Sequence, residues 1–150
     1  MSTVSKLFPE PSAIRFEHVL GDVVLAINQK RQSILNQYGV GEMEVRIIRY
    51  LNEEEQKKMK EVGEHFQIKL STLTSTIDKL EKNKLVKRKN SKDDRRVIFI
   101  KPTAKGQKLL ADLDDIIRSL AESMVRDTNA AEFESVLKGM ERVLAQVKAH

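Results

Sequence analysis

The chain has no cysteine, only three prolines and six glycines in 150 residues, and no long apolar run. Lack of cysteine excludes a disulfide framework, a thiolate metal site, a cysteine nucleophile and a thiol redox sensor. A membrane-spanning helix needs about 20 consecutive apolar residues, which this chain never offers. The segment from Met1 to Pro11 lacks the apolar core and cleavage site of a secretory signal, so a cytoplasmic chain with no membrane partner is the expectation. Enzyme chemistry is equally thin. There is no nucleotide-binding glycine loop, no nucleophile and base motif, and no metal-spaced cluster. The three histidines, His18, His65 and His150, lie far apart. His18 shares a helical face with Asp22, a spacing that fits a surface ion pair better than a metal site. No cofactor is expected.

What is present is charge, unevenly placed. Lysine and arginine number 27 against 22 acids, a net +5. Between Lys57 and Lys105 there are 15 basic and 6 acidic residues, a balance of +9, while the rest carries 12 against 16, a balance of −4. A cationic middle on a mildly acidic scaffold is the footprint of a polyanion-binding module. With 40% apolar residues the chain is long enough to bury a core without a metal or disulfide staple.

Apolar periodicity gives the element order. From Ile14, the residues Phe16, Val19, Leu20, Val23, Val24, Ile27, Ile34 and Leu35 recur at three- and four-residue steps, predicting a helix of about six turns that stops near Gly39. Glu42 to Leu51 predicts a short helix, Asn52 to Lys58 a polar loop, and Lys60 to Phe66 another helix. After Gln67-Ile68-Lys69-Leu70, a helix from Ser71 to about Lys84 carries the stripe Leu73, Ile77 and Leu80, with Ser71 or its neighbour as the cap. The period then changes. Val86 to Lys89 and Val97 to Lys101 are strands of a hairpin whose tip, Asn90 to Arg96, is polar throughout. Pro102 ends the second strand and Thr103 can cap a new helix. Two long helices follow, with stripes from Leu109 to Met124 and from Phe133 to Val147, separated by Asp127-Thr128-Asn129.

Two short helices, a tight turn, a second helix with a small polar face and a charged hairpin describe a winged helix-turn-helix. A helix enters the major groove of DNA only if its outward face is small and polar enough to approach base edges. Lys69, Ser71, Thr72, Thr74, Ser75 and Lys79 supply such a face with flanking cations, and Lys82 extends it. Lys92, Arg95 and Arg96 at the hairpin tip are placed for an adjacent minor groove. Asp94 would hold one guanidinium in a fixed orientation. The bland alternatives are helix-start residues and a solvated hairpin tip; the two features occurring together favour DNA.

These segments resemble the MarR/SlyA family of transcription regulators. The similarity runs through Val62-Gly63-Glu64-His65-Phe66, Ser71-Thr72-Leu73-Thr74, Ile77 to Val86, the wing Asp93-Asp94-Arg95-Arg96, and Pro102-Thr103-Ala104-Lys105-Gly106. The resemblance maps the family's minor-groove arginine onto Arg96 and its orienting aspartate onto Asp94. It departs from the family pattern at Gln67, where glycine is frequent, at Lys69, at Ser75 and at Pro102. The resemblance implies a homodimer and a repressor of promoter access on double-stranded DNA. The three long apolar helices agree with a dimer independently. The resemblance also implies a small aromatic or phenolic effector in a crevice lined by the first helix, the second helix and the Leu109 to Leu120 helix.

The expected architecture is mainly α with a small β-hairpin wing: residues 1–40 an arm and dimerisation helix, 41–104 the winged helix-turn-helix, and 105–150 the C-terminal dimerisation helices. A winged-helix module that binds another protein, without specific DNA binding, is the alternative function.

Overall fold

A computed structural model describes residues 10–54, 56–91, 94 and 97–149. The elements are α1 (Glu10–Tyr38), α2 (Glu42–Leu51), β1 (Lys57–Lys58), α3 (Met59–Phe66), α4 (Leu70–Lys82), β2 (Val86–Asn90), β3 (Ile98–Pro102), α5 (Ala104–Asp127) and α6 (Ala130–Ala149). The fold is mainly helical with one small antiparallel sheet of order β1-β3-β2. Cα packing divides the chain into two compact units, one ending at Leu113 and the other running from Asp114.

Among the described residues, every buried apolar side chain lies between Leu35 and Leu113. Val45, Ile47, Ile48 and Leu51 come from α2, and Leu73, Ile77 and Leu80 from α4. Val86 and Ile100 come from the sheet, and Leu109, Leu110 and Leu113 from the first turns of α5. Each such side chain contributes roughly 1.5–3 kcal/mol on burial, so this cluster holds the winged-helix unit together.

Three helices of this unit stop in the same way, with paired hydrogen bonds that satisfy the last carbonyls and one left-handed residue. At the end of α1, Gly39 has φ +66°, its N–H bonds to Asn36 O and that of Val40 bonds to Leu35 O. At the end of α3, Gln67 has φ 52°, and Ile68 N–H reaches Gly63 O at 3.0 Å. At the end of α4, Lys84 has φ 61°, and Leu85 N–H reaches Leu80 O at 2.9 Å. Only the first site has the glycine that this conformation favours.

The start of α5 depends on a different glycine. Thr103 Oγ1 accepts from Gly106 N–H at 3.2 Å, as the predicted cap requires, and donates to Lys84 O at 2.6 Å. This draws the helix so close that a Cβ on Gly106 would lie 2.2 Å from the carbonyl oxygen of Leu85. Tyr38 OH donates to Asp112 Oδ2 at 2.6 Å, and Asn83 Nδ2 donates to Tyr38 O and Gly39 O. These bonds tie the ends of α1 and α4 to the first turns of α5. Burial and the neighbouring Asp112 push the Tyr38 hydroxyl above its ordinary pKa. Hydrogen bonds from Lys108 and Tyr38 lower that of Asp112.

Several expectations shift. The first helix begins at Glu10 rather than near Ile14 and spans 29 residues, so it is about eight turns and not six. The loop expected over Asn52 to Lys58 contains a third strand: Lys57 and Lys58 pair with Ile100 and Phe99. Lys57 is buried there, its ammonium 4.2 Å above the Tyr50 ring and 3.0 Å from Glu54. That hydrogen bond to Glu54 raises its pKa. The fourth helix starts one residue early, at Leu70. Lys69 rather than Ser71 occupies its cap position, with no side-chain cap bond because lysine has no acceptor. The hairpin's later strand, β3, is shifted by one residue, Ile98–Pro102 rather than Val97–Lys101, and so includes Pro102, which pairs with Val86.

The unit from Asp114 onward is built differently. Asn129, in the expected break between the two helices, forms a reciprocal capping box with Glu132 that starts α6: Glu132 N–H donates to Asn129 Oδ1 at 3.0 Å and Asn129 N–H to Glu132 Oε2 at 3.2 Å. Yet α6 has no buried residue. Leu137, Met140, Val143, Leu144 and Val147 are all exposed, as are Phe16, Val19, Leu20, Val23 and Val24 on the first half of α1.

Candidate nucleic-acid interface

Helix α4 has two opposed faces. Leu73, Ile77 and Leu80 are fully buried. At 100° per residue, Ser71, Ser75 and Lys82 lie on the opposite side, and all three are exposed. Ser75 Oγ donates to Ser71 O at 2.8 Å, Thr74 Oγ1 to Leu70 O at 2.8 Å, and Thr76 Oγ1 to Thr72 O at 2.9 Å. Their hydroxyl protons are occupied, so each offers acceptor lone pairs outward. Such a face suits the amino groups that adenine and cytosine present in the major groove. Ser71 and Thr72 make no side-chain hydrogen bond among the described residues and remain free to donate or accept.

Sequence reasoning missed what disposes of the acids on this helix. Asp78 and Glu81 would repel phosphate. Arg88, in the middle of β2, holds both: its guanidinium is 2.6 Å from Asp78 Oδ1 and 2.7 Å from Glu81 Oε2. A planar fork matches two carboxylates well, and the pairing also locks the wing onto α4. The signal was present as an acidic pair at i and i+3 followed by an arginine inside a strand. Residue order alone does not say which cation pairs with them.

Lys79 has an acidic partner on another helix. Its ammonium lies 2.6 Å from Glu44 Oε1, which braces α4 against α2. Burial opposes ionisation of Glu44, but hydrogen bonds from Lys79 and from the backbone at Glu44 and Gly41 outweigh it and leave the carboxyl below its ordinary pKa. Lys69 and Lys82 are exposed at the two ends of α4. One apolar residue joins this surface. Leu70, the first residue of the helix, is 64% exposed. With Met59, Ile68, Val97 and Ile98 it lines a cavity of about 720 Å³ between α3, the turn and the base of the wing.

The wing projects from the paired strands β2 and β3. At its tip Val97 N–H bonds to Asp94 O at 2.9 Å, and Asp94 N–H approaches Ser91 Oγ at 3.4 Å. Lys92, Arg95 and Arg96 lie outside the described residues.

Comparison with known proteins supplies the family. Residues 29–113 match the family model described as transcriptional regulator SarA/Rot. The chain belongs to this family of MarR-type winged helix-turn-helix transcriptional regulators. It is 30% identical over 125 residues to the uncharacterized HTH-type transcriptional regulator YsmB of Bacillus subtilis, covering 81% of this chain and 85% of that one. It is 29% identical over 115 residues to the HTH-type transcriptional regulator MhqR of the same organism, covering 71% and 79%. Its fold is similar to that of S. aureus MepR in complex with DNA, with a TM-score of 0.76 at 19% identity over 87% of this chain and 98% of MepR. MepR bound to ethidium bromide gives a TM-score of 0.71 at 19% identity, over 88% and 96%. Among the described residues, no helix is long and apolar enough to cross a membrane.

Proposed function

We propose that this regulator is a cytoplasmic, homodimeric repressor that binds a near-palindromic operator through α4 and the wing. The observation that carries the reading is α4 itself. Its outward side is small and polar, and both of its acids are held in ion pairs by Arg88 from the adjacent strand. Ser71, Thr72 and Ser75 meet base edges, Lys69 and Lys82 meet phosphates, and Lys92, Arg95 and Arg96 enter the minor groove beside them. The exposed apolar faces of α1 and α6 supply the dimer surface. A two-fold dimer sets its two recognition helices about 34–36 Å apart, one turn of DNA. MepR bound to DNA and to ethidium bromide supports, by analogy of fold, duplex binding and a planar aromatic effector class. An effector acts here by favouring a dimer geometry in which the two helices no longer match successive major grooves.

The test is binding to a duplex selected by the protein from a random pool. Affinity should fall steeply with salt, and Arg96→Ala should weaken binding at fixed salt while the dimer stays folded. A protein-interaction module would show no useful duplex affinity at any salt concentration.

A further inference from the structure

Strand alternation gives the wing sheet two faces. Cross-strand register sets Lys87 opposite Lys101, and Lys89 and Lys58 opposite Phe99. These five residues therefore share the face opposite to buried Val86 and Ile100. Every ionic group on it is a lysine. Lys58 approaches Glu61 at 3.7 Å. Lys87, Lys89 and Lys101 have no ion pair among the described residues. Glu53 and Glu54 line the same shallow cavity as Lys87 and Lys101, but both acids face Lys57, at 3.9 and 3.0 Å.

Two like charges directly opposite on an antiparallel ladder destabilise it. Lysines on β2 have a simple use, because β2 is an edge strand and charge there discourages pairing with other chains. That use does not extend to Lys101, which sits on the central strand β3. A polyanion lying across the face would turn the repulsion between Lys87 and Lys101 into attraction.

We propose that this outer face of the wing sheet binds the phosphate backbone of duplex DNA flanking the operator. The inference rests on the operator-binding reading above. Arg88, on the inner face, is clasped by Asp78 and Glu81 of α4, so α4 lies on the other side of the sheet. The lysine face therefore cannot meet the segment whose major groove α4 occupies. The phosphates it meets belong to DNA beyond the wing. Lysine is a compact point charge without a planar fork, so the contact adds affinity and footprint length but little base preference.

The experiment uses the full-length dimer and the selected duplex in two lengths. The short form is trimmed to the hydroxyl-radical footprint of the Lys87→Gln/Lys89→Gln/Lys101→Gln variant, and the long form adds about 10 bp, one turn, on each side. The slope of log K against log[salt] is measured for both. The wild type should bind the long duplex more tightly than the short one. On the long duplex the variant should lose about 0.9 of slope per missing contact, roughly 5 for the six lysines of a dimer. On the short duplex the two proteins should agree. The corresponding triple arginine variant, which keeps the charge, should behave as wild type. Removing the lysine pair should also raise the melting temperature slightly, which excludes misfolding as the cause of lost affinity. Equal slopes for wild type and glutamine variant on the long duplex overturn the inference, as does an equal loss on both lengths. Both results leave the operator reading standing if the wild type binds the short duplex. Failure of the wild type to bind either duplex overturns the operator reading as well.

Discussion

The winged-helix unit and the helices beyond Asp114 have similar apolar content along their helices but opposite burial. Leu80 in α4 is 0% exposed, whereas Leu144 in α6 is 52% exposed. Both are helical leucines on a regular apolar stripe. The first has a core to enter within its own unit, and the second lacks one in a single chain. Apolar periodicity therefore tells which face of a helix avoids water. It does not tell whether the covering surface comes from the same chain.

The same substitution made at both leucines should break this comparison open. Leu80→Ala should cost about 2–5 kcal/mol of stability, independent of protein concentration. Leu144→Ala should leave the monomeric unit's stability unchanged and raise the dimer dissociation constant about tenfold. Denaturant melts at several protein concentrations separate the two effects. A large concentration-independent loss at Leu144 would mean that α6 has a core of its own.

The glycines sharpen the contrast at a smaller scale. Gly106→Ala should destabilise by about 1–3 kcal/mol, because the added carbon meets the Leu85 carbonyl, a backbone atom that cannot move alone. Gly139, inside α6, has nothing within 4 Å of its Cβ position. Gly139→Ala should instead stabilise the helix by about 0.5–1 kcal/mol. Thermal melts of both variants check the opposite signs.

A subtler prediction compares the three similar helix ends. Gln67→Gly and Lys84→Gly should each stabilise by up to about 1 kcal/mol, since relief of left-handed strain exceeds the added chain entropy. Gly39→Ala should have the reverse sign. Finally, Glu44 links the acid stability of the winged-helix unit to α4. Its folded pKa lies below the ordinary value of 4.5. Its contribution is therefore full above that value and is lost as pH falls through the folded pKa. Glu44→Gln should lower the melting temperature at pH 7, and the difference from wild type should vanish in acid.

Much of this was legible in the sequence. The helical stripes, the change of period at Val86, the cap at Thr103 and the break at Asn129 all rest on local rules and appear where local rules put them. Strand β1 did not, because two residues show no alternation and its existence depends on β3, some 40 positions away. The roles of Arg88 and Lys79 were also hidden. Each pairs with a carboxylate on another element, and charge counting sees a free cation where the fold makes a brace. Leu70 reads as part of a connection because an apolar residue at a helix start has no periodic partner.

The most direct test of the account is the stoichiometry of the complex with the selected duplex, measured by analytical ultracentrifugation at micromolar concentration. Two chains on each duplex, already paired before DNA is added, are the predicted result. A single chain bound to DNA, or a free protein of monomeric mass, would contradict it.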